Sequence, residues 1–520
     1  MLLGPFGALV KVTAGDSGGL WSHLIETVFP RYVNNTLILM LGVGLLSLLF
    51  GITSAWIVSR FEFPGVKIIE WSLLLPATVP AYIIAYTYTD LLEFAGPVQV
   101  MLREYFAWNS ARDYWFPEIR SMGGAILVMS SVLYPYIYLL TRTALRLTPA
   151  SYIEFARLNN PSAAFIIDLS LARPAIVAGL ALVLMEVLSD FGTVEYFAVE
   201  TLTLGIFNIW LGMNNLTAAA QIAAIAFIFI LSLLVMERTA RKRQRFYDGT
   251  KIGHTISEKK LSGGKSILCI VICLLPITLG FLIPVAVLLN FVLQGLAITD
   301  VNLLISASLN SIAVALATAI IVVGLATIMV LTTTYREYPV LNGLSNISAM
   351  GYAFPGAILA IGVVSFAGGV DDFLQTFQEK YLGIPFGGFL IGGLGLLIFA
   401  CVVRFQAVGH GAIISGISRL SPNLMSASFV LGQSFSQSMI KLAPPLLRKS
   451  MFAGGLLVFV DVMKELPMTL LLRPFNFETL STYVYQFAKD ELLEESAFAA
   501  LAIILVGLGP VILMNASQKR

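Results

Sequence analysis

The chain has 520 residues, 58% of them hydrophobic and only 12% charged, with a formal net charge of +2. A soluble globular chain carries roughly a quarter charged residues, so water is excluded as the main solvent. The near-neutral balance gives no field that would draw nucleic acid. The apolar residues gather in runs long enough to cross a hydrocarbon core about 30 Å thick, which needs roughly 20 helical residues.

In chain order, Met1 to Pro30 comes first, with Gly4, Pro5, Lys11, Asp16 and the Gly18-Gly19 pair. It has neither the basic start nor the unbroken apolar centre of a secretory signal, so no cleaved peptide is predicted. Apolar windows then predict about eleven spans, near 36–58, 70–92, 123–142, 173–190, 218–237, 267–294, 309–333, 344–367, 387–408, 451–469 and 495–514. The fold class is therefore an all-α polytopic membrane protein. The most basic stretch, from Arg238 through Arg241, Lys242, Arg243 and Arg245 to Lys265, separates the fifth and sixth spans and is predicted to be cytoplasmic. Alternation puts the loops Arg60–Lys67, Arg142–Arg157 and Arg404–Lys449 on the same side, and 93–122, 191–217, 368–386 and 470–494 on the outer side.

One offset of 275 residues aligns Asn35 with Asn310, Pro64 with Pro339, Pro80 with Pro355, Arg173 with Arg448, and Ala178-Gly179 with Ala453-Gly454. Matched spans are an even number of crossings apart, so the two copies are parallel rather than inverted. The expected organisation is an N-terminal periplasmic or interfacial segment over 1–30, a first repeat over 31–240, a basic linker over 241–265 and a second repeat over 266–520. The run 267–294 has no full-length counterpart in the first copy. Either that copy lacks its opening helix, giving five spans plus six, or the true start lies upstream.

Two segments concentrate carboxylates in apolar surroundings. Glu186 and Asp190 in the first copy match Asp461 and Glu465 in the second. Each pair is spaced i, i+4, so both acids of a pair are expected on one helix face, about 6 Å apart along the axis. An intramembrane acid is by default a functional-site hypothesis, and carboxylate oxygens suit a hard, highly charged cation. The four acids are the expected substrate pathway and transient metal ligands. Tyr82, Tyr86, Tyr88 and Glu195 are secondary candidates. The other reading keeps the acids near the outer helix ends, solvated or paired, as parts of the scaffold. Cys269, Cys273 and Cys401 lie in apolar runs and receive no chemistry.

Each copy carries a long cytoplasmic loop before its fourth matched span, Thr148–Ser170 and Ser418–Lys449. In the second, Ser426-Ala427-Ser428, then Gly432, then Pro445, Leu446 and Arg448 resemble the Glu-Ala-Ala loop of type I ABC importer permeases. In the first, Glu154-Phe155-Ala156-Arg157 resembles the loop's opening. Interfacial helices that need no partner are the alternative. Gly264-Lys265-Ser266 lacks the glycine that a nucleotide loop needs five residues earlier, where Lys259 stands, so any ATPase is a separate chain.

Along most of its length the chain resembles the fused bacterial ferric-iron permeases. The resemblance rests on Asp461-Val462-Met463-Lys464-Glu465-Leu466-Pro467, Leu471-Leu472-Arg473-Pro474-Phe475-Asn476-Phe477, Val183–Phe197, Ala95–Gln99 and Ala111–Arg120. It implies a non-enzymatic, multi-pass subunit of the bacterial inner membrane, with no permanently bound cofactor and ferric iron as cargo. It also implies a periplasmic ferric-binding protein and a cytoplasmic ATPase dimer that binds the ATP. The residues themselves leave open a thiamine, polyamine or other ion permease, and from another class an ATP-independent secondary transporter.

Overall fold

A computed structural model of the protein describes residues 2–148, 163–242, 259–295, 300–335, 339–348, 351–382, 390–421 and 423–518. The main helices are α1 (Gly4–Thr13), α2 (Phe29–Arg60), α3 (Ala81–Leu92), α4 (Met122–Leu147), α5 (Ala163–Ser189), α6 (Leu216–Lys242), α7 (Gly264–Ile277), α8 (Ile283–Gly295), α9 (Val301–Tyr335), α10 (Gly356–Leu382), α11 (Leu394–Ile417), α12 (Ala443–Lys464) and α13 (Leu493–Gln518). Among the described residues nine helices are long and apolar enough to cross a bilayer, or ten if the pair Val66–Thr78 and Ala81–Phe106, bent by 92°, is one broken span. The charged 22-residue helix α12 stands where the second copy's counterpart of α5 is expected.

The repeat is visible in individual bonds. Asn35 donates to the Glu200 carbonyl at 3.0 Å, and Asn310 to the Glu478 carbonyl at 2.9 Å. The Leu202 amide donates to Thr36 Oγ1, and the Leu480 amide to Ser311 Oγ. The repeated glycines have a packing cause. A Cβ at Gly179 would stand 2.8 Å from Ile137, and one at Gly454 2.8 Å from Ala412, so both let helices approach closely in the membrane. In each copy the three matched helices pack on one another: α2, α4 and α5, and α9, α11 and α12.

Three expectations about spans are corrected. The runs 70–92 and 344–367 are not continuous helices. A 3₁₀ turn, Leu75–Thr78 or Gly351–Ala353, precedes Pro80 or Pro355, and a new helix starts beyond each proline. Proline removes a donor and clashes with the preceding turn, so the chain breaks there. The run 451–469 likewise ends at Lys464. The stretches 191–217 and 470–494 are not simple surface loops. They contain the helices Gly192–Tyr196 and Leu202–Phe207, and Pro467–Leu472 and Leu480–Lys489, whose residues are largely buried within the protein. Irregular backbone at membrane depth is tolerated only when protein covers it.

In the packing of the repeat, α1 stands where α8 stands in the second copy. Its ten residues span about 15 Å, half the hydrocarbon thickness. It packs against α6 and α10, just as α8 packs against α13 and α3. Phe6 meets Phe354 at 4.4 Å, and Trp21 donates to Gln221. Of the basic linker, residues 243–258 lie outside the described residues; the strand Lys259–Lys260 pairs in parallel with Phe61–Glu62.

Candidate functional site

The site is built where α5 and α12 stop. Ser189 and Lys464 are their last residues, so the second acid of each pair lies beyond the helix, not on its face as the spacing predicted. Asp190 turns back to accept the amides of Thr193 (2.9 Å) and Val194 (3.3 Å) and the Thr193 hydroxyl (3.0 Å). Glu465 accepts the amides of Met468 (3.1 Å) and Thr469 (3.0 Å) and the Thr469 hydroxyl (3.0 Å). Both carboxylates satisfy the free amides at the start of a new short helix, where the helix dipole favours negative charge. Pro467, at the first position of the second of these helices, is preset for that role.

A cavity of about 180 Å³ lies between the two copies and is lined by all four acids. Their surroundings differ. Arg404 of α11 binds Glu465 at 2.6 Å, with both side chains buried. Glu186 accepts the Tyr352 hydroxyl at 3.0 Å across the copy interface. Asp461 makes no hydrogen bond or ion pair among the described residues. Tyr136 and Tyr82 also line the cavity, and the buried Tyr82 hydroxyl has no hydrogen-bond partner among the described residues. Lys464 reaches across to the Ala77 carbonyl at 3.0 Å. Among the described residues no three His, Cys, Asp or Glu side chains are close enough to hold a metal ion together.

The secondary candidates separate. Tyr88 donates to the Leu279 carbonyl at 2.9 Å, away from the cavity. Tyr86 lies against Tyr82 and Tyr196, at ring separations of 5.9 and 4.4 Å. Glu195 accepts the Tyr485 hydroxyl and faces Lys489 at 3.4 Å, in a cluster of its own.

The positive-inside pattern places Arg404 at the start of a cytoplasmic loop, yet it is buried inside α11. The signal was present, since a charge within the span 387–408 should be read as a buried partner seeking an acid. Gly356 makes room for the pair: a Cβ there would stand 2.4 Å from Arg404 Nη1 and 2.7 Å from Glu465 Oε1. The expected result of Gly356→Ala is a lower unfolding temperature for the purified protein, while Gly369→Ala, where nothing lies within 4 Å, leaves it unchanged.

Glu154, Ala156 and Arg157 lie outside the described residues. The returning end of that loop is held by Asp168, which binds Arg60 at 2.6 Å and Trp56 Nε1 at 3.2 Å. In the second loop, Ser426 and Ala427 fall on the helix Leu424–Val430, and Gly432 closes it with φ of +81°, a conformation that favours glycine. Val430 and Leu431 are 87% and 81% exposed, an apolar knob on the surface. Outside the spans, the amides of Ser110 and Asn109 hold the Asp113 carboxyl below its ordinary pKa. The neighbouring Trp115 is 85% exposed.

No family model matches the chain. It is 24% identical over 504 residues to the Fe(3+)-transport system permease protein FbpB 2 of Haemophilus influenzae, an alignment covering 94% of this chain and 91% of that protein. It is 20% identical to the ferric transport system permease protein FbpB of Actinobacillus pleuropneumoniae, covering 92% and 69%. The sulfate transport system permease protein CysT of Escherichia coli is 26% identical over 47% of this chain and 88% of its own length. A single-copy permease thus matches about half of this chain. The helical architecture, the internal repeat and the likeness along almost the full length make the chain a multi-pass membrane protein similar to transport-system permease subunits, in two-copy form.

Proposed function

We propose that this permease moves ferric iron, delivered by a periplasmic binding protein, through the cavity between its copies. A separate cytoplasmic ATPase dimer drives the step. The copies are residues 31–240 and 266–520, joined by the linker 241–265. The observation that carries the reading is the lining of that cavity: Glu186, Asp461 and the phenols of Tyr82, Tyr136 and Tyr352 present oxygens, the atoms a hard cation prefers. Glu186 and Asp461 serve as transient ligands, each giving up little to bind cargo. Asp190 and Glu465, already bonded to helix amides, hold the cavity wall. The full-length likeness to ferric permeases supports the same cargo.

The binding protein docks on the outer surface, where Trp115 and Phe475 stand exposed. The ATPase engages the loop bearing Glu154, Ala156 and Arg157 and the exposed knob beside Ser426, Ala427 and Gly432. The permease itself makes and breaks no covalent bond. It offers cargo a different affinity in each access state, which is what a coupled switch requires.

An anionic cargo such as sulfate draws support from Arg404 and Lys464, but Arg404 is committed to Glu465 and the acids outnumber the cations. The complex in proteoliposomes tests the assignment through its ATPase rate. Ferric-loaded binding protein is expected to raise that rate, and neither sulfate nor molybdate is. Stimulation by either anion would overturn the assignment.

A further inference from the structure

Lys464 is the last residue of α12 and lines the cavity with Glu186 and Asp461. Its ammonium has three donors and carboxylates for neighbours, yet it makes no ion pair within 4 Å among the described residues. Instead it donates at 3.0 Å to the carbonyl of Ala77, in the 3₁₀ turn of the other copy. That turn leads into Pro80, where the broken span resumes. The lysine stem passes Gly507 of the last helix, where a Cβ would stand 3.3 Å from Lys464 Cε and 2.9 Å from the Thr78 carbonyl. The bridge therefore runs through a close-fitting slot.

The arrangement is one-sided. At the same offset the first copy has Ser189 in place of Lys464, and the second has Tyr352 in place of Ala77. Tyr352 bridges the copies through Glu186 instead. Two bridges thus cross the cavity, and only that of Lys464 brings a cation.

We infer that Lys464 is a tethered cation that latches the two copies across the cavity and is displaced when cationic cargo binds Glu186 and Asp461. The inference rests on the proposed cation cargo. Before cargo arrives the ammonium offsets the acids' mutual repulsion and ties α12 to the turn Leu75–Thr78. An arriving cation takes over that neutralisation and repels the ammonium, strongly so in a site poor in water. The anchor's acceptor is a single neutral carbonyl, weaker than a pair in which both partners are ionised, so it yields before the Arg404–Glu465 bond. Release frees the turn before Pro80, and cargo binding is thereby converted into relative motion of the copies.

The test uses the full complex in proteoliposomes with unloaded binding protein. Lys464→Met is expected to raise the cargo-free ATPase rate about fivefold or more, the lower end of ordinary coupling factors, and to lower iron moved per ATP. Lys464→Arg, which keeps charge and reach, restores the low rate. In the unmodified complex, amide exchange over residues 75–80 should quicken with ferric-loaded but not with unloaded binding protein. That measurement decides the question if Lys464→Met fails to assemble. A low cargo-free rate in Lys464→Met, or exchange indifferent to loading while iron is transported, overturns the latch. If the unmodified complex moves no iron, the cargo assignment fails, and the cargo-free rates of Lys464→Met and Lys464→Arg still judge the latch.

Discussion

Changing Glu186 and Asp461 together to Gln and Asn is expected to cut uptake at least about tenfold while leaving assembly and unfolding temperature unchanged. The amides are nearly isosteric. Asp461 makes no hydrogen bond among the described residues, and Glu186→Gln still offers an oxygen to the Tyr352 hydroxyl. What disappears is negative charge facing the cavity. The matching pair Asp190→Asn with Glu465→Gln behaves differently, because those carboxylates hold helix starts. It is expected to lower the unfolding temperature first and transport as a consequence. Wild-type uptake in the Glu186–Asp461 double variant would remove these acids from the pathway.

Arg404→Met is the second change with a large expected effect. It leaves Glu465, whose side chain is 2% exposed, as a buried charge without its cation, which costs about 3–5 kcal/mol. Thermal unfolding of the purified permease checks this. Adding Glu465→Gln should recover part of the loss, since it removes the uncompensated charge, while its single amide oxygen can replace only one of the two carboxylate oxygens that accept from Met468 and Thr469. The first copy shows why the charge can be dispensed with. At the same offset it has Met129 in place of Arg404, and Asp190, held by the Thr193 and Val194 amides, makes no ion pair among the described residues. No rescue by Glu465→Gln would mean that Arg404 acts through some other contact.

Most of the span pattern was legible because a bilayer imposes length and apolarity on each crossing, and few other causes produce such runs. The repeat was legible because residues with a fixed geometric duty recur: Asn35 and Asn310 bond equivalent carbonyls, and Gly179 and Gly454 admit a neighbouring helix. The breaks were less legible. Hydropathy does not register that Asp190 and Glu465 leave the helix, and the i, i+4 spacing suggested a continuous face. Pro467, Pro80 and Pro355 were the available signals. Cross-copy contacts such as Tyr352 with Glu186 and Lys464 with Ala77 were beyond reach. They depend on how two repeats meet, which no local pattern encodes. Arg404 is ambiguous in sequence because a basic residue near a span's end reads equally as a loop anchor.

The most direct measurement is ATP-dependent uptake of ferric iron into liposomes holding this chain with its ATPase and its binding protein. Accumulation that needs ATP and all three components, and is lost in the Glu186–Asp461 double variant, is the predicted result. Accumulation without ATP by this chain alone, or ATPase activity coupled to another cargo with no iron moved, would contradict it.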